Sequence, residues 1–267
     1  MAVAAQQLSS VPVLAAHGLA IDYDTESSPL RVVEDVSFTV ESGERLVLLG
    51  ASGCGKSSIL KAIAGFVKPA AGTIAARGRA ITGPGPDRIV VFQEFDQLLP
   101  WKTITDNVAF PLRVARKLGK AEAIERATEA LAAVGLSRVA DSYPHTLSGG
   151  MKQRAAIARA LATKPDILLM DEPFAALDAQ TRRNLQEDLL RLAEELHFTL
   201  IFVTHAIDEA ALLGARLLLL GGQPARPLAT LDTSSFGIAD VGSAKFEAVV
   251  RHVHEMLFDG ERQHVRG

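Results

Sequence analysis

The chain switches between two spatial periods, and the switch points outline its architecture. Residues 32–40 alternate apolar and polar positions, the period of a half-exposed strand. Residues 11–20 read as an earlier strand, with the polar stretch 24–30, which carries Pro29, as the connecting loop. The runs 45–49, 89–92, 167–170, 200–203 and 217–220 are short and almost wholly apolar, which predicts strands buried on both faces. A further short strand is expected at 72–76, and the glycine- and proline-rich stretch 82–86 predicts a firm turn. Between these runs the spacing turns helical. Residues 58–64 form one such stretch. Ile124, Ala127, Leu131 and Val134 share a face between Lys120 and Gly135, and Leu185, Leu189, Leu192 and Leu196 form a second stripe. From residue 96 to about 148 the helical period prevails, so a helical block is expected between strand-bearing parts. Short helices are also expected at 208–213 and, as a tail, at 245–257. Strands separated by helices predict an α/β fold with a mostly parallel sheet covered on both faces.

Composition narrows the class. A chain of 267 residues suits one large domain or two subdomains, and 48% hydrophobic with 22% charged residues is globular. The net charge of −3 offers no basic field, so no nucleic-acid partner is expected. A single cysteine excludes an internal disulfide or a zinc cluster. Residues 1–7 lack the basic start of a secretion signal, and no apolar run approaches the ~18 residues needed to cross a bilayer. Work at a membrane therefore requires another chain to do the crossing.

Candidate chemistry concentrates at strand ends. Gly50, Ala51, Ser52, Gly53, Cys54, Gly55, Lys56 and Ser57 fit the phosphate-loop spacing, between an apolar strand and a helix continued by Ser58. The glycines let successive N–H groups face phosphate oxygens at a positive helix start. Lys56 can reach outer phosphates, and the Ser57 hydroxyl can take a magnesium position. Asp171 and Glu172 close another strand, where the first suits magnesium and the second can accept a proton from an attacking water. His205 and Gln93 each end a strand as well, one suited to a terminal phosphate and the other to magnesium or its water. Taken singly, each of these has a structural reading as a cap or a solvated strand end. Ser148, Gly149 and Gly150 begin a helix and form a second anion site, with ordinary capping as the competing reading. Cys54, near a helix start, is expected to favour its thiolate. Residues 98–101, which include the only Trp, are expected to expose an apolar patch.

Residues 50–57, Gln93, 147–154, 167–173, Ala176-Leu177-Asp178 and His205 resemble, in order, the ATP-binding subunits of ABC transporters. The resemblance spans roughly residues 11–222. It implies a P-loop NTPase (RecA-like) core at 11–95 and 155–222, with an N-terminal antiparallel β part. A helical subdomain bearing the signature is implied at 96–154, and a C-terminal extension at 223–267. It further implies a head-to-tail homodimer that forms on ATP and Mg2+. Each ATP then lies between the phosphate loop of one chain and Ser148, Gly149 and Gly150 of the other. By the same resemblance Glu172 is the catalytic base, His205 senses the γ-phosphate, Gln93 and Asp171 serve the metal, and Asp178 bridges the two sites. Tyr23 falls where the family stacks a ring on adenine.

Residues 82–88, 90–93 and 98–101 are similar to importers of nitrate, alkanesulfonates or taurine. That likeness implies an integral membrane permease as partner and, indirectly, a solute-binding protein. The expected location is peripheral, at the cytoplasmic face of a bacterial-type inner membrane. The competing expectation is a soluble ATPase of the same superfamily that assembles iron–sulfur clusters. A switch acting on DNA or ribosomes usually needs a long coiled-coil insert or a second cassette, and neither is present.

Overall fold

The computed structural model describes residues 11–26, 28–93 and 97–264, with side chains through residue 257. The expectation for residues 1–7 lies outside the described residues. The chain runs through β1 (Leu14–Tyr23), β2 (Leu30–Val40), β3 (Arg45–Leu49) and α1 (Lys56–Ala64). It continues with β4 (Ala71–Ala76), β5 (Arg79–Ala80), β6 (Arg88–Val91), α2 (Ile104–Val114), α3 (Lys120–Ala133) and α4 (Gly149–Ala162). There follow β7 (Ile167–Asp171), α5 (Ala179–Leu196), β8 (Thr199–Thr204), α6 (Ile207–Leu213), β9 (Arg216–Gly221), β10 (Arg226–Asp232) and α7 (Ala244–His264).

Two sheets result. The smaller is antiparallel in the order β2-β1-β4-β5. The larger runs β10-β9-β3-β8-β7-β6 and is parallel except for β10. Because side chains alternate along a strand, the larger sheet serves two cores. Leu46, Leu48, Leu169, Ile201 and Val203 face one side, where Ile59, Leu60 and Ile63 of α1 and the antiparallel sheet cover them. Val47, Leu49, Leu168, Met170 and Phe202 face the other, beneath the remaining helices. Each of these side chains is at most 1% exposed, and burying one contributes about 1.5–3 kcal/mol.

The strand order positions the chemistry. β3, β8 and β7 are neighbours, and their carboxyl ends release the glycine loop, His205, and Asp171-Glu172 side by side. That edge is where ligands bind in open parallel sheets.

Two boundaries depart from expectation. The first strand lies at Leu14–Tyr23 rather than 11–20, since Gly18 at φ +56° carries it through an irregular register. Beyond the expected last strand at 217–220 the chain adds β10, a mostly exposed edge strand whose Pro227 and polar positions hide it from a search for apolar runs. Helix α4, by contrast, begins at Gly149 beside its cap Ser148 and ends at Ala162.

Candidate active site

Close packing dictates the glycines of the loop after β3. A Cβ at Gly50 would meet the Leu220 carbonyl oxygen at 2.4 Å. Gly55 caps α1 at φ +110°, where a Cβ would also meet the Val32 oxygen at 2.7 Å. Lys56, first in α1 and 3% exposed, folds back over this loop. Its Nζ donates to the Gly50 oxygen at 2.9 Å and the Ala51 oxygen at 2.8 Å, and lies 4.0 Å from Glu172 Oε1.

One residue on, Ser57 Oγ donates to Asp171 Oδ1 at 2.8 Å. Burial pushes the Asp171 carboxyl above the usual carboxylate range; the Ser57 hydrogen bond opposes this, and the nearby Glu172 charge adds to it. A hydroxyl and a half-buried carboxylate in contact are hard oxygen donors of the kind magnesium prefers. Among the described residues no cluster of three or more His, Cys, Asp or Glu could hold a metal alone. The pair therefore suits an ion that brings phosphate and water as its remaining ligands. Magnesium fits these residues on that ground.

Glu172 adopts φ 45°, left-handed backbone for a side-chain-bearing residue, which costs about 1–3 kcal/mol. The Glu172 N–H donates to the Val203 oxygen at 3.0 Å, so the adjacent strand holds the strained turn in place. The turned side chain meets His205, whose Nδ1 lies 2.9 Å from Glu172 Oε2. Lys56, Ser57, Asp171, Glu172 and His205 thus form one continuous cluster. Tyr23 joins it at the rim, donating its hydroxyl to Ser58 Oγ at 3.2 Å.

Other candidates lie apart. No hydrogen bond or ion pair among the described residues links Ser148, Gly149 or Gly150 to the cluster. Ser148 caps α4, accepting from the Met151 N–H at 3.3 Å, and Gly150 is packed so that a Cβ would meet Thr181 Cγ2 at 2.5 Å. Asp178 caps α5, accepting from the Thr181 N–H at 2.9 Å, and that backbone hydrogen bond holds its carboxyl below the usual range. Gln93 follows β6 at the surface.

Two expectations need correction. Cys54 is 4% exposed, and burial pushes its thiol up despite the neighbouring Lys56 charge and the backbone N–H groups. Desolvation of the thiolate outweighs the helix start. Of residues 98–101, Leu98 is buried in the core at 3% exposure while Trp101 stands 70% exposed. Phe110 and Val114 of α2 are exposed as well.

A third group escaped the sequence reading. Gln97 Nε2 donates to the Phe92 oxygen at 2.9 Å, Gln153 Nε2 of α4 reaches the same oxygen at 3.4 Å, and Arg159 Nη1 donates to the Gln97 oxygen at 2.7 Å. These bonds fasten the segment around Gln93 to the signature helix. The only signal in the sequence was the place of Gln153 within the 147–154 run.

The chain is similar to known proteins in sequence and in fold. The chain is 51% identical over 196 residues to the nitrate import ATP-binding protein NrtC of Synechococcus elongatus, covering 72% of this chain and 29% of that protein. The chain thus spans under a third of that relative's length. It is 49% identical over 203 residues to the taurine import ATP-binding protein TauB of Rhizobium johnstonii, 76% of this chain and 77% of the relative. Among solved structures it superposes on the dimeric post-hydrolysis state of the ATP-binding cassette MJ0796 bound to ADP and Pi. That match has a TM-score of 0.72 and 29% identity, over 84% of this chain and all of the other. The sequence pattern described as ABC transporter matches residues 33–175, and this chain belongs to that family.

Proposed function

We propose that this chain is the ATP-hydrolysing subunit of a membrane importer, and that it works as a homodimer closing on two MgATP. The observation that carries the reading is the continuous cluster from Lys56 through Glu172 to His205, with a second anion-binding turn at Ser148, Gly149 and Gly150 outside it. A second copy, placed head to tail, supplies that turn. Asp178 lies beside the same junction through its contact with Thr181, which also packs on Gly150. In this reading residues 96–154 form the arm that carries the signature.

The chemistry follows from the side chains. Glu172 takes the proton of the attacking water, and its strained backbone fixes the direction of its lone pairs. His205 holds the far oxygen of that carboxylate and faces the terminal phosphate. Lys56 trades its loop carbonyls for phosphate oxygens and balances charge that builds up in the transition state. Ser57 and Asp171, together with Gln93, would hold magnesium, which when bound supplies positive charge to the outer phosphates. Tyr23 orients the adenine end, and Gly50, Ala51, Ser52, Gly53, Cys54, Gly55 and Ser58 surround the phosphates.

No helix among the described residues is long and apolar enough to cross a membrane. In this reading the chain acts peripherally, on the cytoplasmic face, through a permease fed by a solute-binding protein. The exposed Trp101, Phe110 and Val114 supply an apolar surface for that contact. The import names of the relatives support a small anion such as nitrate, an alkanesulfonate or taurine as cargo. The test is reconstitution with the permease that co-purifies with it. ATP-dependent uptake of one of these solutes supports the reading, and ATP hydrolysis that never couples to uptake overturns it.

A further inference from the structure

Glu209 lies in α6 with 7% exposure, and its hydrogen-bond partners among the described residues, Thr204 and Gln186, are neutral, while Arg182 and His205 act on it only through space. Burying a carboxylate whose hydrogen bonds come only from neutral groups is costly, and an apolar residue of similar shape would pack there without that cost. Its bonds show what the group does. Thr204 Oγ1 donates to Glu209 Oε2 at 2.5 Å, and Gln186 Nε2 of α5 donates to Glu209 Oε1 at 3.0 Å. A hydroxyl has one proton and two lone pairs, so donating to Glu209 turns the Thr204 lone pairs elsewhere. One of them accepts the Ala206 N–H at 3.0 Å. Ala206 caps α6 without any side-chain bond of its own, so this contact satisfies a donor just outside the helix. Thr204 and Ala206 flank His205, whose ring is among the more exposed parts of the site.

We propose that Glu209 is a positioning residue for hydrolysis, setting the Thr204 hydroxyl so that the 204–206 turn presents His205 to Glu172. The carboxylate touches no reacting atom. It acts by fixing a rotor that otherwise has several orientations, and Gln186 anchors it to the long helix behind the site. A misplacement of the imidazole leaves nucleotide binding in place and slows the chemical step. This inference rests on the proposed partnership of Glu172 and His205.

Steady-state hydrolysis by the full chain, read as kcat and KM, tests it with Thr204→Val, Thr204→Ser, Glu209→Gln and His205→Ala in parallel. Thr204→Val, which keeps shape and loses the hydroxyl, lowers kcat about tenfold while KM for ATP stays within about twofold. Thr204→Ser restores the hydroxyl and most of kcat. Adding Glu209→Gln to Thr204→Val causes little further loss, because both act through one bond. Wild-type kcat in Thr204→Val beside an inactive His205→Ala overturns the role of Glu209 alone. Equal loss in the Ser and Val variants also overturns it, since the hydroxyl is then irrelevant. Wild-type kcat in His205→Ala overturns the Glu172–His205 partnership itself, and this inference with it.

Discussion

His205 Nδ1 lies 2.9 Å from Glu172 Oε2, while the other oxygen of that carboxylate lies 4.0 Å from Lys56 Nζ. Glu172 is thus held between His205 and Lys56, the two groups that in the proposed reading face the terminal phosphate and bind the phosphates. Its two oxygens are distinguished before any water arrives. That asymmetry is what a general base needs in order to accept a proton from one direction.

Replacing Glu172 by Gln keeps the shape and removes the basic lone pair. Hydrolysis is expected to fall about 10²- to 10⁴-fold, with ATP binding retained. The variant should then accumulate as an ATP-bound dimer of doubled mass in size-exclusion chromatography. Unaltered turnover would remove Glu172 from the role of base.

Cys54 gives the pH-dependent prediction. Burial raises its thiol, so at neutral pH the group is protonated and hidden, and alkylation is slow. The reactive thiolate gains population only above the ordinary thiol range, so the alkylation rate should keep rising at pH values where a free thiol has levelled off. Iodoacetamide labelling followed by mass spectrometry across pH 7–10, against glutathione, measures this. A rate equal to glutathione's at neutral pH contradicts it.

Much of the site was legible because phosphate chemistry demands particular residue types at strand ends. The loop from Gly50 to Ser57, Asp171-Glu172 and His205 all follow apolar runs, and three of those runs are adjacent strands. What stayed hidden depends on distance rather than spacing. Gln186 and Glu209 are 23 residues apart and meet only because α5 and α6 pack behind β8. The Cys54 error has the same source, since a helix start is visible in sequence while the burial that opposes it is not. β10 was missed because an edge strand with exposed positions carries no apolar signature.

The exposed surface of Trp101, Phe110 and Val114 yields a coupling prediction. Phe110 is 43% exposed, and Lys102 Nζ stands 5.5 Å from its ring centre, so the patch is apolar with a cationic rim. Trp101→Ala combined with Phe110→Ala should weaken co-purification with the permease by about tenfold or more, as loss of aromatic anchors usually does. Recovery at wild-type yield would place the contact elsewhere.

The most direct measurement mixes two inactive variants. Lys56→Ala disables the phosphate loop, and Ser148→Arg disables the signature turn; each homodimer then lacks both complete sites. If each site is built from two chains, a mixed dimer contains one site with both lesions and one with neither. Phosphate release from an equimolar mixture should recover, to roughly a quarter of wild type if sites fire independently. A mixture as inactive as its components, with mixed dimers demonstrably formed, would show that Lys56 and Ser148 serve the same nucleotide within one chain and contradict the shared site.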